Sequence, residues 1–127
     1  MNPLKAIMQQ ASSGMQLESR RITVAAENIS NVDTPGYHKK MIAVESALTP
    51  GQQFSVTKEM LDQSPGERSY NPSHPMADQD GYVTMSNVSL VMEMADLREA
   101  NRSYEANLNA FQQARSMYSS LLDILRR

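Results

Sequence analysis

Leu4, Met8, Ala11, Met15, Glu18, Ile22, Ala25, Ile29 and Val32 follow one another at alternating steps of four and three. That spacing is the stripe of a heptad helix, apolar at every position but Glu18. It constrains the fold more than any other feature because it recurs at the far end. There Leu90, Met94, Leu97, Asn101, Tyr104, Leu108, Phe111, Arg115, Tyr118, Leu122 and Leu125 step in the same way, and Ala100, Ala114 and Leu121 widen the face. Asn101 and Arg115 interrupt this second stripe. Polar residues in a seam cost stability but can fix register or oligomeric state. Two such stripes predict two long terminal helices with different structure between them.

The limits of the first helix are equally physical. Asn2 can cap it, and Pro3 fits the first helical position, where its missing N–H costs nothing. Thr34-Pro35-Gly36-Tyr37 ends it. The proline ring pushes Thr34 out of the helical region, and Pro35-Gly36 suits the centre of a type II turn. The helix is therefore expected to stop near Asn31. Ser86 or Asn87 is the expected cap of the second helix, and Arg126 and Arg127 sit where the helix dipole favours positive charge.

Residues 38–85 break the helical period. Ile42 with Val44 allows one short strand, and Phe54 with Val56 another. The Asp80-Gly81 turn signal precedes a third at Tyr82-Val83-Thr84-Met85. Gln63 to Gly81, "QSPGERSYNPSHPMADQDG", reads as a loop. The expected fold is mainly α: two long terminal helices pair as a coiled-coil-like hairpin, with a short β-rich or extended insert. Residues 1–34 and 87–127 would form one discontinuous helical domain, and residues 35–86 the turn and insert.

Composition limits the core. The hydrophobic fraction is 40% and Met is frequent, at 10 residues. That fraction lies below the ~45–50% of ordinary globular domains, so the core is thin or completed by other chains. Two readings stay open: a self-contained hairpin, or stripes that wait for partners. The thin composition favours the second, because a helix pair buries one seam and leaves a wide face wet. A net charge of −2 argues against nucleic-acid binding. With no Cys, disulfides and thiolate chemistry are excluded. No basic region precedes an apolar run, so no cleavable signal peptide is expected, and no stretch is apolar enough to span a membrane.

Chemical motifs are sparse. His38 and His74 sit beside turns without helix-spaced ligand company. Asp78-Gln79-Asp80-Gly81 lacks the remaining ligands of a calcium loop and reads as a turn. No phosphate loop, nucleophile elbow or HExxH occurs. Neither an enzyme nor a cofactor or metal is expected. The surviving function classes are a structural subunit that packs against copies or relatives of itself, and a cytosolic coiled-coil adaptor or export chaperone.

Asn28-Ile29-Ser30-Asn31 followed by Thr34-Pro35-Gly36-Tyr37 resembles the amino-terminal signature of bacterial flagellar axial proteins. Asn71 to Met94 and Arg98 to Met117 resemble the flagellar basal-body rod proteins, those of the proximal rod in particular. In that second region the motif positions are Pro75, Asp78, Gly81, Tyr82, Asn87, Arg98, Ser103 and Tyr104. The resemblance covers residues 4–48 and 70–125, and Ser30 stands where the family more often has Ala. It implies a structural subunit of the proximal rod, exported through the flagellar type III apparatus without a cleavable signal. Such subunits assemble helically in the periplasm into the tube that transmits torque and lines the export channel. The implied partners are further copies of the chain, other rod proteins, the basal-body adaptor and the export gate. On this reading the helix-packing and subunit-interface residues are Leu4, Met8, Met15, Ile22, Ile29, Leu97, Asn101, Leu108, Phe111, Tyr118 and Leu122.

Overall fold

The computed structural model describes residues 2–45 and 55–126. Helix α1 spans Pro3–Ser30. Asn2 Oδ1 accepts the Leu4 amide at 2.9 Å, and Pro3 takes the first helical position, as its ring geometry favours. The helix ends where Asn31 leaves helical geometry, at φ −111° and ψ 14°. The chain then turns through Thr34–Tyr37 and enters strand β1 (Lys40–Glu45), which pairs antiparallel with β2 (Ser55–Leu61). Lys40 faces Leu61 and Ala43 faces Lys58, and the register shifts between Ala43 and Val44. This two-stranded sheet lies along α1.

A second two-stranded sheet pairs β3 (Arg68–Tyr70) with β4 (Tyr82–Thr84). Helix α2 then runs over Leu90–Arg126. At ~1.5 Å per residue the two helices are about 42 and 55 Å long. They pack antiparallel: Asn28 meets Glu93, Gly14 meets Asn107, and Lys5 lies over the Tyr118 ring. The mainly helical architecture with a strand-containing insert is the one expected.

Four details differ from expectation. First, α2 begins at Leu90, after Ser86 and Asn87. The Ser89 carbonyl accepts the Glu93 amide at 3.0 Å, and Ser86 and Asn87 are engaged elsewhere. Second, β3 lies inside the stretch read as a loop; three residues between Gly66 and Pro72 are too few to show a period. Third, the strand expected at Phe54 and Val56 continues further than the spacing suggested: β2 contains Val56 and runs to Leu61, while Phe54 lies outside the described residues, as does Arg127.

The fourth difference concerns the seam of α2. Leu97, Tyr104, Phe111 and Tyr118 are half-buried as expected. The alternate layer, however, runs through Glu93, Ala100, Asn107 and Ala114, one residue before Met94, Asn101, Leu108 and Arg115. Asn101 and Arg115 are exposed, so they do not interrupt the intramolecular seam. Leu108 remains half-buried at its edge. The reason is steric and electrostatic together. On α1 the seam includes the buried Ala11, Gly14 and Ala25, so the backbones approach closely, and Ala100 and Ala114 fit that approach. Rotating Arg115 inward would bury a charge without a partner.

Gly14 marks the tightest of these contacts. A β-carbon there would lie 2.7–2.9 Å from the amide group of Asn107, whose Nδ2 donates to the Ser103 carbonyl at 3.0 Å. Gly14→Val is expected to cost about 1–3 kcal/mol through overpacking. Asn107→Ala in the same chain should recover much of that loss. Urea unfolding followed by circular dichroism tests both; equal loss with and without the second change would refute this packing.

Candidate assembly surface

Asn28 is fully buried at 0% exposure. Its amide pairs with the peptide group of Lys40 as a neighbouring strand would. Oδ1 accepts the Lys40 N–H at 2.9 Å, while Nδ2 donates to the Lys40 carbonyl at 3.0 Å. Oδ1 also accepts the Tyr37 hydroxyl at 2.9 Å, and Nδ2 also donates to Glu93 Oε2 at 3.3 Å. Two donors and two lone pairs are thereby used in full. One side chain ties the end of α1 to the turn, the start of β1 and the first turn of α2.

Glu93 completes this junction. It is 2% exposed, and its Oε1 lies 3.0 Å from Lys39 Nζ, an ion pair not aligned as a hydrogen bond. Beside it, Lys40 Nζ donates to Glu27 at 2.6 Å, which holds the Glu27 carboxyl below its ordinary range and the Lys40 ammonium above its own. Burial pushes the Tyr37 hydroxyl upward. The family-motif residues Asn28 and Tyr37 are thus brought together. Glu93, Lys39 and Lys40 were not singled out in the sequence. Glu93 carries a visible signal, since it starts the four–three series through Leu97, Ala100 and Tyr104.

The turn is built from the rest of the first motif. Asn31 Nδ2 donates to the Glu27 carbonyl at 2.9 Å, and its Oδ1 accepts from the Thr34 hydroxyl at 3.1 Å. Tyr37 N–H donates to the Thr34 carbonyl at 3.2 Å, closing Thr34-Pro35-Gly36-Tyr37 as a β-turn. Gly36 has φ +74°, and its N–H reaches the Thr84 carbonyl of β4 at 3.0 Å.

Asn87 ties the insert shut. Its Oδ1 accepts the Lys39 N–H at 2.6 Å, and its Nδ2 donates to the carbonyls of Asp62 and Ser64, each at 2.9 Å. Ser86 donates to the Val32 carbonyl. Asp78 organises the other half of the second motif. Its Oδ1 accepts the N–H groups of Asp80 and Tyr82 at 2.9 Å, and Arg68 pairs with its Oδ2 at 2.5 Å. The backbone hydrogen bond from Tyr82 is the main reason its carboxyl sits below the ordinary range. Gly81 turns at φ +85°, and the Tyr82 ring meets Tyr70 edge-on at 5.2 Å beneath the Arg68 guanidinium. Pro75 is exposed in the neighbouring turn. Arg98, Ser103 and Tyr104 lie on α2, away from this unit, with Arg98 exposed.

The outward surface divides along α2. Leu90, Val91, Met92 and Met94 are exposed at its start, and Met117, Leu121, Leu122, Ile124 and Leu125 at its end. Between them Arg98, Asn101, Arg102, Glu105, Asn109, Gln112 and Arg115 face out. Of the expected packing residues, Leu4, Met8, Met15, Ile22 and Ile29 are half-buried along α1, whereas Asn101 and Leu122 are exposed. Among the described residues no cluster of His, Asp and Glu is placed to hold a metal, and no helix is long and apolar enough to cross a membrane.

Two substitutions probe the junction. Asn28→Ala leaves several buried partners unpaired, each worth about 1–3 kcal/mol, and should destabilise far more than Asn31→Ala. Similar losses for the two would refute the ranking. At Gly36 a β-carbon would meet only Met76 Cε, at 3.9 Å, so any cost is conformational. Gly36→Val should lose about 1–2 kcal/mol and Gly36→Asn less, because Asn tolerates positive φ. Thermal unfolding of the pair distinguishes strain from crowding.

Comparison with known proteins gives concordant matches. The family model described as "Flagella basal body rod protein" matches residues 8–38, and "Flagellar basal body rod FlgEFG protein C-terminal" matches residues 79–124. The flagellar basal-body rod protein FlgC of Agrobacterium fabrum is 39% identical, over 99% of this chain and 98% of that protein. FlgC of Salmonella typhimurium is 33% identical, over 90% of this chain and 92% of its own length. FlgC of Aquifex aeolicus is 32% identical, over 85% and 87% respectively. With both signature regions matched and the likeness spanning nearly the whole chain, the protein belongs to the FlgC family of flagellar basal-body rod proteins.

Proposed function

We propose that this chain is a structural subunit of the proximal rod of the bacterial flagellar basal body. The observation that carries the reading is the near full-length likeness to FlgC proteins. The chain's own surface supports it. Apolar side chains at both ends of α2 are exposed, Val91 at 78% and Leu125 at 72%, and neighbouring subunits would cover them. Contacts of one end on a different surface of the next copy are heterologous, and where the rotation between copies does not close they build open helical assemblies.

In this reading the paired helices form the wall of a tube that transmits torque and encloses the export channel. The chain leaves the cytosol through the type III export gate and assembles in the periplasm, touching other rod proteins and the adaptor at the rod base. It performs no catalysis. The motif turn ends the wall helix and sends the chain outward, and the interface draws on Leu4, Met8, Met15, Ile22, Ile29, Leu97, Asn101, Leu108, Phe111, Tyr118 and Leu122.

The test separates assembly from folding. Leu122→Asp with Leu125→Asp changes exposed positions in the last turns of α2, where the dipole disfavours negative charge, and should cost an isolated chain only about 1–2 kcal/mol through fraying of that end. We expect these cells to secrete the protein, leave the rod unbuilt and fail to swim. Glu105→Ala with Gln112→Ala, in the polar stretch, should swim nearly normally. Full motility of the aspartate pair, judged by swim plates and blots of secreted protein, would remove this end of α2 from the interface. Retention of functional protein in the cytosol would instead favour an adaptor or chaperone.

A further inference from the structure

We propose that Glu18 is a proton-operated clasp in the α1–α2 seam: the helices hold together most firmly when its carboxyl is protonated and loosen when it ionises. The inference concerns the chain itself and does not depend on what it assembles into.

The geometry sets Glu18 apart from Glu93. Both are buried, at 9% and 2% exposure. Glu93 has Asn28 and Lys39 against its two oxygens. Glu18 Oε2 is closed off from solvent and has no hydrogen-bond partner. It occupies the one charged position of the α1 stripe, between Met15 and Ile22, where its neighbours pack against α2. An ionised carboxylate in such a place loses the hydration of that oxygen without replacement, whereas the neutral acid loses far less.

Its electrostatic surroundings do not rescue the charge. Burial raises the Glu18 pKa; Arg21, one turn along α1, opposes that, and Glu99 of α2 adds to it. On the strand side, Glu59 of β2 is held by Arg20 and Lys40 of β1 by Glu27, so neither cation is free to reach Glu18. The net direction is upward from the ordinary value of 4.5.

The sign of the effect on stability follows. Below the ordinary value both folded and unfolded chains carry the proton, and Glu18 adds no ionisation cost. As pH rises above it, the unfolded chain ionises first and the folded state loses ground. The cost is complete once pH passes the raised folded value. Glu27, Asp62 and Asp78 act oppositely: their folded values are lowered, so their contributions are present at neutral pH and fade in acid. A comparison of wild type with Glu18→Gln cancels these groups and both histidines.

The experiment is thermal unfolding of the full chain, followed by circular dichroism from pH 4.5 to 8. Glu18→Gln should melt about 2–5 °C above wild type at pH 7.5, with the gap closing toward pH 4.5. Glu99→Gln should move the midpoint of that closure to lower pH. A gap that is constant with pH would overturn the clasp and leave Glu18 a purely steric residue. A direct measurement stands beside it: carbon NMR titration of the Glu18 carboxyl in the wild-type chain. A midpoint above 4.5 supports the proposal, and a midpoint at or below it overturns the proposal whether or not the variants fold.

Discussion

The pairing of the Asn28 amide with the Lys40 peptide group holds together a structure that has little else at its centre. Among the described residues the buried apolar side chains are Ala11, Leu17, Val24, Ala25, Val83, Ala100 and Ala114, most of them small. Among the described residues the largest fully buried side chains are Glu93 and Asn28. A polar centre of this kind contributes little net stability, since desolvation offsets most of what its hydrogen bonds return. What it contributes is uniqueness. Sliding α1 along α2 by one turn would part Glu93 from the Asn28 Nδ2 that reaches it across the seam, and a buried carboxylate stranded in that way costs more than its pairing returns. Apolar seams alone tolerate such slips; this one does not.

Much of the architecture was legible from spacing. Both helices, the proline-glycine stop and three of the four described strands follow from period and turn chemistry, and Asn2 and Gly36 sit as their residue types dictate. The second helix was legible only to within one residue. Its stripes through Glu93 and Met94 both step by fours and threes, and apolarity alone favours Met94. The choice is made by the partner helix, where Gly14 admits Asn107 and small residues bring the backbones together. A single strip of sequence cannot show that. The junction was half legible: Asn28 and Tyr37 stood out as motif residues, but their link to Glu93 spans 65 positions. The pairing of Arg68–Tyr70 with Tyr82–Thr84 is hidden for a similar reason, because three-residue strands have no measurable period.

The division of α2 into sticky ends and a polar middle suits a chain that must exist alone before it is built into something larger. Two-stranded sheets and a single helix seam are marginal elements by themselves. Each gains when a neighbour covers its open side, so the energy that completes the fold and the energy of assembly are partly the same. In the proposed assembly, the polar middle of α2 would limit how many ways two copies can stick before reaching that arrangement.

The Asn87 clamp carries a consequence of another kind. Lys39 opens the insert and Asn87 closes it, and the two meet at 2.6 Å. The helices therefore experience the intervening chain as a loop whose ends are already joined. Lengthening such a loop costs only logarithmically in its length. The helical frame is in this respect a socket: segments of different size and surface could be exchanged within the insert while Lys39, Lys40 and Asn87 hold its ends and α1 and α2 keep their alignment. Diversification of the outer face, by evolution or by grafting, is thereby uncoupled from the geometry of the helix pair.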